Sequence, residues 1–362
     1  MFPIVETDFG LDMLRHAPAN ESVVVSPISV IFALAMVQAG ARGTTKSQIN
    51  SVISKGESDS EIEEHYSELS RQIMNATSDV KSRIANGFFL NNQFQIEKDY
   101  EQTIKEKFDA EVKPLDFEKT ADAVEVINGF ISKQTEGKIS DMVDEQMVKD
   151  AFSIIVNAIY FTAEWDYKFD KLANTKGTFY SAGGRRKVEY MNDFAVHRMY
   201  AENGEFQVLS LQYLDTSFSF NIFLPKKRSN PDEGRSKLTG EQIQNLLSKL
   251  EMTYISITIP KMKIETDFKL KEALIAMGVS EMFTDSADLT GITKEPPLQV
   301  SDAAHKAIIE VDEAGTTAAA ATVIGMVGAS AVMEEPVTFQ ADHPFLFILT
   351  KENNPLFMGR YV

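Results

Sequence analysis

The side chains most often used in enzyme catalysis occur in this chain without the spacings that catalytic sites need. No two of the five histidines stand in the His-x-x-x-His or His-Glu-x-x-His spacing of zinc sites. They are His16, His65, His197, His305 and His343. There is no Gly-x-Ser-x-Gly turn, no glycine-rich phosphate loop and no cysteine to act as a nucleophile. The sequence therefore predicts a protein that is not an enzyme and that uses no metal or cofactor.

An unusual composition marks residues 310–322, close to the C-terminus. A strand-like apolar segment ends at Val311, and no bulky apolar side chain follows until Val323. Such an alanine-rich run is most often a helix, because alanine has the highest helix propensity, or else a surface loop. Alanine and threonine are also small enough to enter between two β-strands without a clash. The run is therefore a candidate switch segment that could lie outside a sheet or inside it.

The elements that would hold this segment are indicated by capping residues and apolar patterns. Ser26 is placed to cap an apolar helix that ends near Gly40. Residues 153–161 are apolar on both faces and predict a central strand. Asn157 lies in the middle of that strand and needs polar partners, because an unpaired buried amide is costly. His305 is expected to be a core histidine rather than a catalytic base.

Helices and strands are interspersed along the whole chain without a regular βαβ order, which predicts an α+β fold. Residues 254–263 alternate in polarity like a strand, and residues 267–277 are predicted to be a helix that Gly278 ends. No repeat or long linker divides the chain. We therefore expect a single domain over residues 1–362.

The composition excludes several classes of partner. A hydrophobic content of 43% and a charged content of 25% are typical of a globular protein. The net charge of −17 would repel nucleic acids and anionic membranes, and no apolar window approaches the ~20 residues of a membrane span. Residues 1–8 lack the basic and apolar parts of a signal peptide. We expect a cytoplasmic protein; secretion is the alternative if a leader was removed.

Taken together, the motifs resemble the serpins, the serine-protease-inhibitor family, over essentially the whole chain. Residues 157–161 followed by Trp165, the only tryptophan, are similar to the family's central strand and to the tryptophan at the top of its main sheet. Residues 313–321 are similar to the hinge of inhibitory members. Further similarity lies in Ser26-Pro27-x-Ser29, in residues 128–139, in Phe345 and in residues 355–360.

The resemblance implies an α+β serpin fold with a mixed multi-sheet β core (sheets A, B and C), about nine helices and an exposed reactive-centre loop. The loop would span about residues 313–336, and the protein is expected to be a monomer. The implied function is suicide inhibition. A serine protease attacks the loop and forms a covalent acyl-enzyme, and the cut loop then inserts into sheet A and traps the protease.

The hinge is the part of this resemblance that indicates an inhibitor. Because alternate side chains of a strand point to opposite faces, counting by two from Thr316 gives an inward-facing set of small residues. Gly315 permits a sharp backbone turn at the pivot. The hinge residues implied by the resemblance are Glu313, Gly315, Thr316, Ala318, Ala320 and Thr322. Non-inhibitory relatives tend to carry bulky, charged or proline residues at these positions.

The family's usual spacing from the hinge glutamate implies that the protease cuts between Ala329 and Ser330. Counting back from the strand after the loop gives Ala331 instead. Small residues beside the cut suit the narrow pocket of an elastase-like protease. Cleavage at Met326 or Met333 would indicate a chymotrypsin-like or cathepsin-G-like target. No Arg or Lys occurs between Lys306 and Lys351, which argues against trypsin-like targets.

The resemblance also implies two sets of supporting residues. Ser26, Ser29, Asn157 and His305 match the shutter, a polar cluster that controls the opening of the main sheet. Trp165 and a Lys261–Glu313 ion pair match the breach, where the loop starts to insert. Residues 61–81, which match the heparin-binding helix of some relatives, begin with an acidic run, so heparin is an unlikely partner. Two alternatives remain: a non-inhibitory serpin with a chaperone or storage role, and a cross-class inhibitor of papain-like cysteine proteases.

Overall fold

Two β-sheets and nine α-helices form the part of the chain that the computed structural model describes, which is residues 1–76, 79–228, 238–316 and 335–362. The helices are α1 (Phe2–Arg15), α2 (Pro27–Gly40), α3 (Gly43–Ile53), α4 (Asp59–Met74), α5 (Lys98–Phe108), α6 (Thr120–Gln134), α7 (Glu145–Val148), α8 (Gly240–Leu247) and α9 (Leu270–Ala276). The strands are β1 (Val23–Val25), β2 (Val80–Asn91), β3 (Glu111–Leu115), β4 (Ser153–Glu164), β5 (Thr175–Ser181), β6 (Gly184–Glu202), β7 (Phe206–Gln212), β8 (Phe218–Pro225), β9 (Glu251–Pro260), β10 (Met262–Phe268), β11 (Asp302–Val311), β12 (Gly315–Thr316), β13 (Val337–Gln340), β14 (Phe345–Lys351) and β15 (Asn354–Tyr361).

The six-stranded sheet has the order β10-β11-β12-β4-β2-β3. Its two central strands, β4 and β11, run parallel to each other and pair directly over most of their length. The short strand β12 lies between them at one end only and runs antiparallel to both. This sheet corresponds to the expected sheet A.

The nine-stranded sheet has the order β1-β15-β14-β8-β7-β6-β9-β13, and β5 pairs with β6. Strand β6 is 19 residues long and pairs with β5 in its first part, with β9 from its middle onward and with β7 near its end. A bulge between Asp193 and Val196 bends it. Because this one strand belongs to both parts, the expected sheets B and C are continuous here.

Helix α2 lies between the two sheets, packed against β4 and β15, and nearly all of its residues are buried. Ser26 caps it as predicted, since its side chain accepts a hydrogen bond from the Ser29 N–H at 3.3 Å. Helix α6 covers the opposite face of the six-stranded sheet. Alternate residues of β4 therefore enter two cores: Ile155 and Ile159 pack on the side of α2, and Val156 packs on the side of α6.

Two predicted boundaries differ from the structure. The alternating pattern of residues 254–263 is split between β9 and β10, which are separated at Lys261. The helix predicted for residues 267–277 begins only at Leu270, because Phe268 completes β10 by pairing with His305. In the described ranges no helix has the length and apolar character needed to span a membrane.

Candidate functional site between strands β4 and β11

The junction between β4 and β11 is closed along its centre. Residues 302–308 of β11 pair in parallel register with residues 154–160 of β4, from Asp302 opposite Ile154 to Ile308 opposite Tyr160. No strand of the described residues lies between them over this length. A strand that entered here would have to separate the two by one strand spacing, about 4.8 Å.

At one end of the same junction, where the hinge begins, the two strands are separated by a residue of the hinge. Thr316 pairs with Val311 of β11 and with Ala163 of β4, so it lies between the two strands. Its side chain is fully buried, and its hydroxyl is hydrogen bonded to the Tyr213 hydroxyl at 2.8 Å. The Thr162 hydroxyl donates to the Thr316 carbonyl at 2.9 Å. Thr316 is thus the first interior residue of a short inserted strand.

Gly315 is required at the turn into this strand. Its φ of +151° is a conformation that residues with a side chain rarely adopt. A Cβ atom at this position would also lie 2.1 Å from the Ala163 carbonyl oxygen. Both the backbone angle and the close approach to β4 therefore exclude a side chain.

The chain before Gly315 is held by the turn itself and by Trp165. One carboxylate oxygen of Asp312 accepts hydrogen bonds from the N–H groups of Ala314 and Gly315, at 2.9 and 3.2 Å. The indole N–H of Trp165 donates to the Asp312 carbonyl at 2.9 Å, and its ring stacks on Tyr213 with centroids 4.5 Å apart. Trp165 thus positions both the turn before the hinge and the tyrosine that contacts Thr316.

Glu313 and Lys261 form the ion pair that the resemblance implied. The Lys261 ammonium lies 3.0 Å from a Glu313 carboxylate oxygen, and the two side chains are 30% and 12% exposed. Burial opposes ionisation of Glu313, but hydrogen bonds from Asn174, its own N–H and Lys261 outweigh it, so the pKa of Glu313 is lowered. Burial also opposes the charge on Lys261, but Glu313 raises its pKa overall.

At the closed centre, Asn157 forms four hydrogen bonds. Its amide N–H groups donate to the Ser29 carbonyl, at 2.9 Å, and to the Asn86 side-chain oxygen. Its oxygen accepts from the Ser29 hydroxyl at 2.9 Å and from a ring nitrogen of His305 at 2.6 Å. The buried amide therefore has the polar partners that the sequence required.

His305 connects this cluster to α2 across the two strands. Its Nδ1–H donates to Asn157, and its Nε2 accepts the Ser26 N–H at 3.0 Å, which assigns the Nδ1-protonated neutral tautomer. Complete burial lowers the pKa of His305 to about 3. The pair His305–Asn157 is the direct side-chain link between β11 and β4 at this level. The structure thus brings together Ser26, Ser29, Asn157 and His305.

The family model described as Serpin (serine protease inhibitor) matches residues 5–362. This chain is a serpin. Iripin-2 of Ixodes ricinus is 32% identical, with an alignment that covers 97% of this chain and 91% of that protein. Serine protease inhibitor 42Dd of Drosophila melanogaster is 33% identical, with an alignment that covers 97% of this chain and 93% of that protein.

The solved structures agree with the α+β serpin fold. Serpin48 of the insect Tenebrio molitor, described as a highly specific serpin, superimposes with a TM-score of 0.89 at 27% identity. The match covers 99% of this serpin and 97% of Serpin48. The predicted family and fold are therefore confirmed.

Three residues of the site were not predicted from the sequence. Asn86 lies within an apolar strand, as Asn157 does, so the same signal could have identified it. Asn174, which binds Glu313, and Tyr213, which binds Thr316, lie in segments with no such signal. Their role in this serpin depends on contacts between distant parts of the chain.

The rest of the predicted loop lies outside the described residues. This applies to the hinge residues Ala318, Ala320 and Thr322 and to all the candidates for the cut bond. Those candidates are Met326, Ala329, Ser330, Ala331 and Met333. Within the described ranges of this serpin, no three metal-binding side chains cluster.

Proposed function

We propose that this serpin is a suicide-substrate inhibitor of a serine protease. The specificity of that protease is either elastase-like or similar to that of chymotrypsin and cathepsin G. The observation that carries the proposal is the position of Thr316 between β4 and β11. The hinge already occupies the first place of a new strand, and the two central strands still pair directly beyond it. A cut loop could therefore insert by extending a strand that has already begun.

The register of β12 determines where each later residue would go. Because β12 is antiparallel to both neighbours, each step forward along the hinge is a step backward along β4 and β11. Ala318 would lie between Phe161 and Ile309, both of which are buried on the α2 side. The small side chains at alternate positions suit this packed interior, in which a larger one would clash.

Continued by four more residues, this register brings Thr322 to the polar cluster. Thr322 would pair with Asn157 on one side and with His305 on the other, which are now hydrogen bonded to each other. Insertion must break that bond. A threonine hydroxyl can both donate and accept, so Thr322 can bind to the two groups that the separation leaves unpaired.

The chemistry before insertion belongs to the protease. Its serine oxygen attacks the Ala329 carbonyl, the bond to Ser330 breaks, and the serine proton passes through the protease's own base to the new amino terminus. The product is an ester between Ala329 and the protease. Insertion then draws the tethered protease along the sheet, and the energy comes from new strand hydrogen bonds and from buried loop side chains.

Incubation with four serine proteases tests the proposal. We expect pancreatic elastase, neutrophil elastase, chymotrypsin or cathepsin G to form a denaturant-resistant covalent complex with this serpin. Mass spectrometry of the released C-terminal fragment identifies the cut bond. If all four enzymes cut the loop and stay active, and the cut protein unfolds at an unchanged temperature, the protein is a non-inhibitory serpin.

A matched pair of variants tests the insertion register. Thr322→Arg places a charge between Asn157 and His305, so we expect cleavage of the loop without a covalent complex. Thr317→Arg is the control, because residue 317 would face outward beside Thr162 and Glu310, which are both partly exposed. Equal loss of complex formation in both variants would contradict the register.

A further inference from the structure

The described residues just before and just after the reactive loop contact opposite ends of one strand, β7. Thr316, the last described residue before the loop, is hydrogen bonded to Tyr213, which directly follows β7. Thr338, just after the loop, accepts a hydrogen bond from the Gln207 side chain near the other end of β7, at 3.2 Å. The two anchors are six residues apart along an extended chain, which is about 20 Å. A protease bound to the loop must approach this part of the surface.

A shallow depression with both apolar and polar lining residues lies at this place. Tyr167, Met199, Met252 and the nearly buried Leu211 line one part of it, and His197, Arg198, Ser210 and Gln212 line the rest. Met199 and Met252 are paired across β6 and β9. The side chains of Met252 and Tyr167 are 60% and 63% exposed. These are large apolar groups in water, and they surround a concave surface rather than standing singly.

The bulge in β6 carries a further exposed aromatic side chain, which follows Asp193, the ion-pair partner of Arg198 in the depression. Phe194 is 61% exposed although it lies inside a strand. The next residue, Ala195, has a φ of +56°, an uncommon conformation for alanine, and its N–H is satisfied by the Ser256 hydroxyl at 3.1 Å. The fold thus uses a strained residue to keep an aromatic ring at the surface.

Arg198 connects Tyr167 to the part of β6 that carries Phe194. The Arg198 guanidinium lies 4.7 Å from the centre of the Tyr167 ring and forms a 2.6 Å ion pair with Asp193, the neighbour of Phe194. Arg198 is itself largely buried. Rigid, pre-oriented aromatic groups lose little entropy on binding, which is typical of residues that dominate protein interfaces.

We propose that this surface, defined by Tyr167, Phe194, Met199 and Met252, is a second docking site for the protease held on the reactive loop. The inference rests on the proposed function and names a further contact with the same partner. The net charge of −17 attracts a cationic protease. The partner is therefore a cationic serine protease with an apolar residue exposed beside its active-site cleft.

The rate of complex formation tests the site. With a protease that forms a complex with the wild type, we expect Phe194→Ala and Tyr167→Ala each to lower the second-order rate constant about tenfold. The same variants should weaken binding to that protease with its catalytic serine replaced by alanine, about tenfold in Kd. The number of inhibitor molecules consumed per trapped protease should not change, because insertion is untouched.

Two controls make the outcome specific. Ile275→Ala removes another exposed apolar side chain, 42% exposed, from α9 and should leave the rate unchanged. Phe194→Tyr should retain most of the rate, and melting temperatures identify any variant that is misfolded. If both alanine variants trap the protease at the wild-type rate, the docking site does not exist, although the inhibitory function stands. A concentration-dependent dimer that Phe194→Ala abolishes, with unchanged rates, would instead assign the surface to a second copy.

Discussion

The two central strands of this serpin meet differently at their two ends. At the hinge, Thr316 lies between β4 and β11, and the turn before it is held by Trp165 and Asp312. At the centre, the same strands pair directly, and His305 and Asn157 close the junction with a buried hydrogen bond. The backbone is paired in both places. The difference therefore lies in the side chains: small residues and a glycine admit a strand at one end, and a polar network resists it at the other.

This comparison indicates where the resistance to insertion is located. Exchanging one strand partner for another costs little, because the hydrogen bonds of the backbone are replaced. Breaking the central polar cluster leaves several buried groups without partners until a new residue reaches them, and each such group costs about 1–3 kcal/mol. The centre should therefore respond more strongly to mutation than the hinge.

Removing Asn157 gives the largest expected effect. Asn157→Ala leaves the Asn86 oxygen and the buried His305 Nδ1–H without this partner, so we expect a loss of about 3 kcal/mol in the free energy of unfolding. Urea unfolding measures it. Ser82→Ala is the control, because the buried Ser82 hydroxyl has no hydrogen bond to any described residue. A loss below about 1 kcal/mol for Asn157→Ala would show that the cluster does not close the centre.

For each pH unit, the pH dependence of stability should come next in size. The pKa of His305 is lowered from 6.5 to about 3 in the folded protein, so below pH 6.5 only the unfolded chain takes up this proton. This residue therefore lowers the free energy of unfolding by about 1.4 kcal/mol for each pH unit between pH 6.5 and pH 3. His305→Gln should remove this slope, as measured by urea unfolding at several pH values. His197→Gln, at an exposed position, should retain it; equal slopes in wild type and His305→Gln would contradict the burial of a neutral ring.

At the hinge, Gly315→Ala should have a moderate effect. The added Cβ meets the Ala163 carbonyl and the φ of +151° is unfavourable, so we expect the strained state to cost about 1–3 kcal/mol and the hinge to leave the sheet. Hydrogen exchange of residues 312–316 should then become faster. Gly129→Ala in α6 meets no atom within 4 Å and should leave exchange at the hinge unchanged. Unchanged protection in Gly315→Ala would mean that the close approach to β4 does not hold the hinge.

The ion pair at the hinge should contribute least. Lys261→Met removes one partner of a partly exposed pair, and Glu313 retains its hydrogen bond from Asn174, so we expect a loss of about 1 kcal/mol or less. Thermal unfolding measures it, with Lys263→Met as the control for a more exposed pair with Glu310. A loss larger than that of Asn157→Ala would mean that the hinge contributes more to the free energy of unfolding than the central polar cluster.

Local signals along the chain were sufficient for several elements. The serine cap predicted the start of α2, and the apolar run predicted β4 with its buried amide. The error at residues 267–277 shows the limit of such signals. Phe268 belongs to a strand because His305 lies opposite it, and that neighbour is not visible from the local pattern.

The sequence by itself determined the small, glycine-led composition of the hinge and the need of Asn157 for polar partners, because both follow from side-chain size and from the cost of an unpaired buried amide. Only the tertiary structure decided which side chains form hydrogen bonds with the hinge and with Asn157. Asn86, Asn174 and Tyr213 reach the site from distant segments, and the register of β12 is set by strands that are remote in sequence. Strand pairing fixes such partners residue by residue, since a shift of one position would turn every side chain to the opposite face.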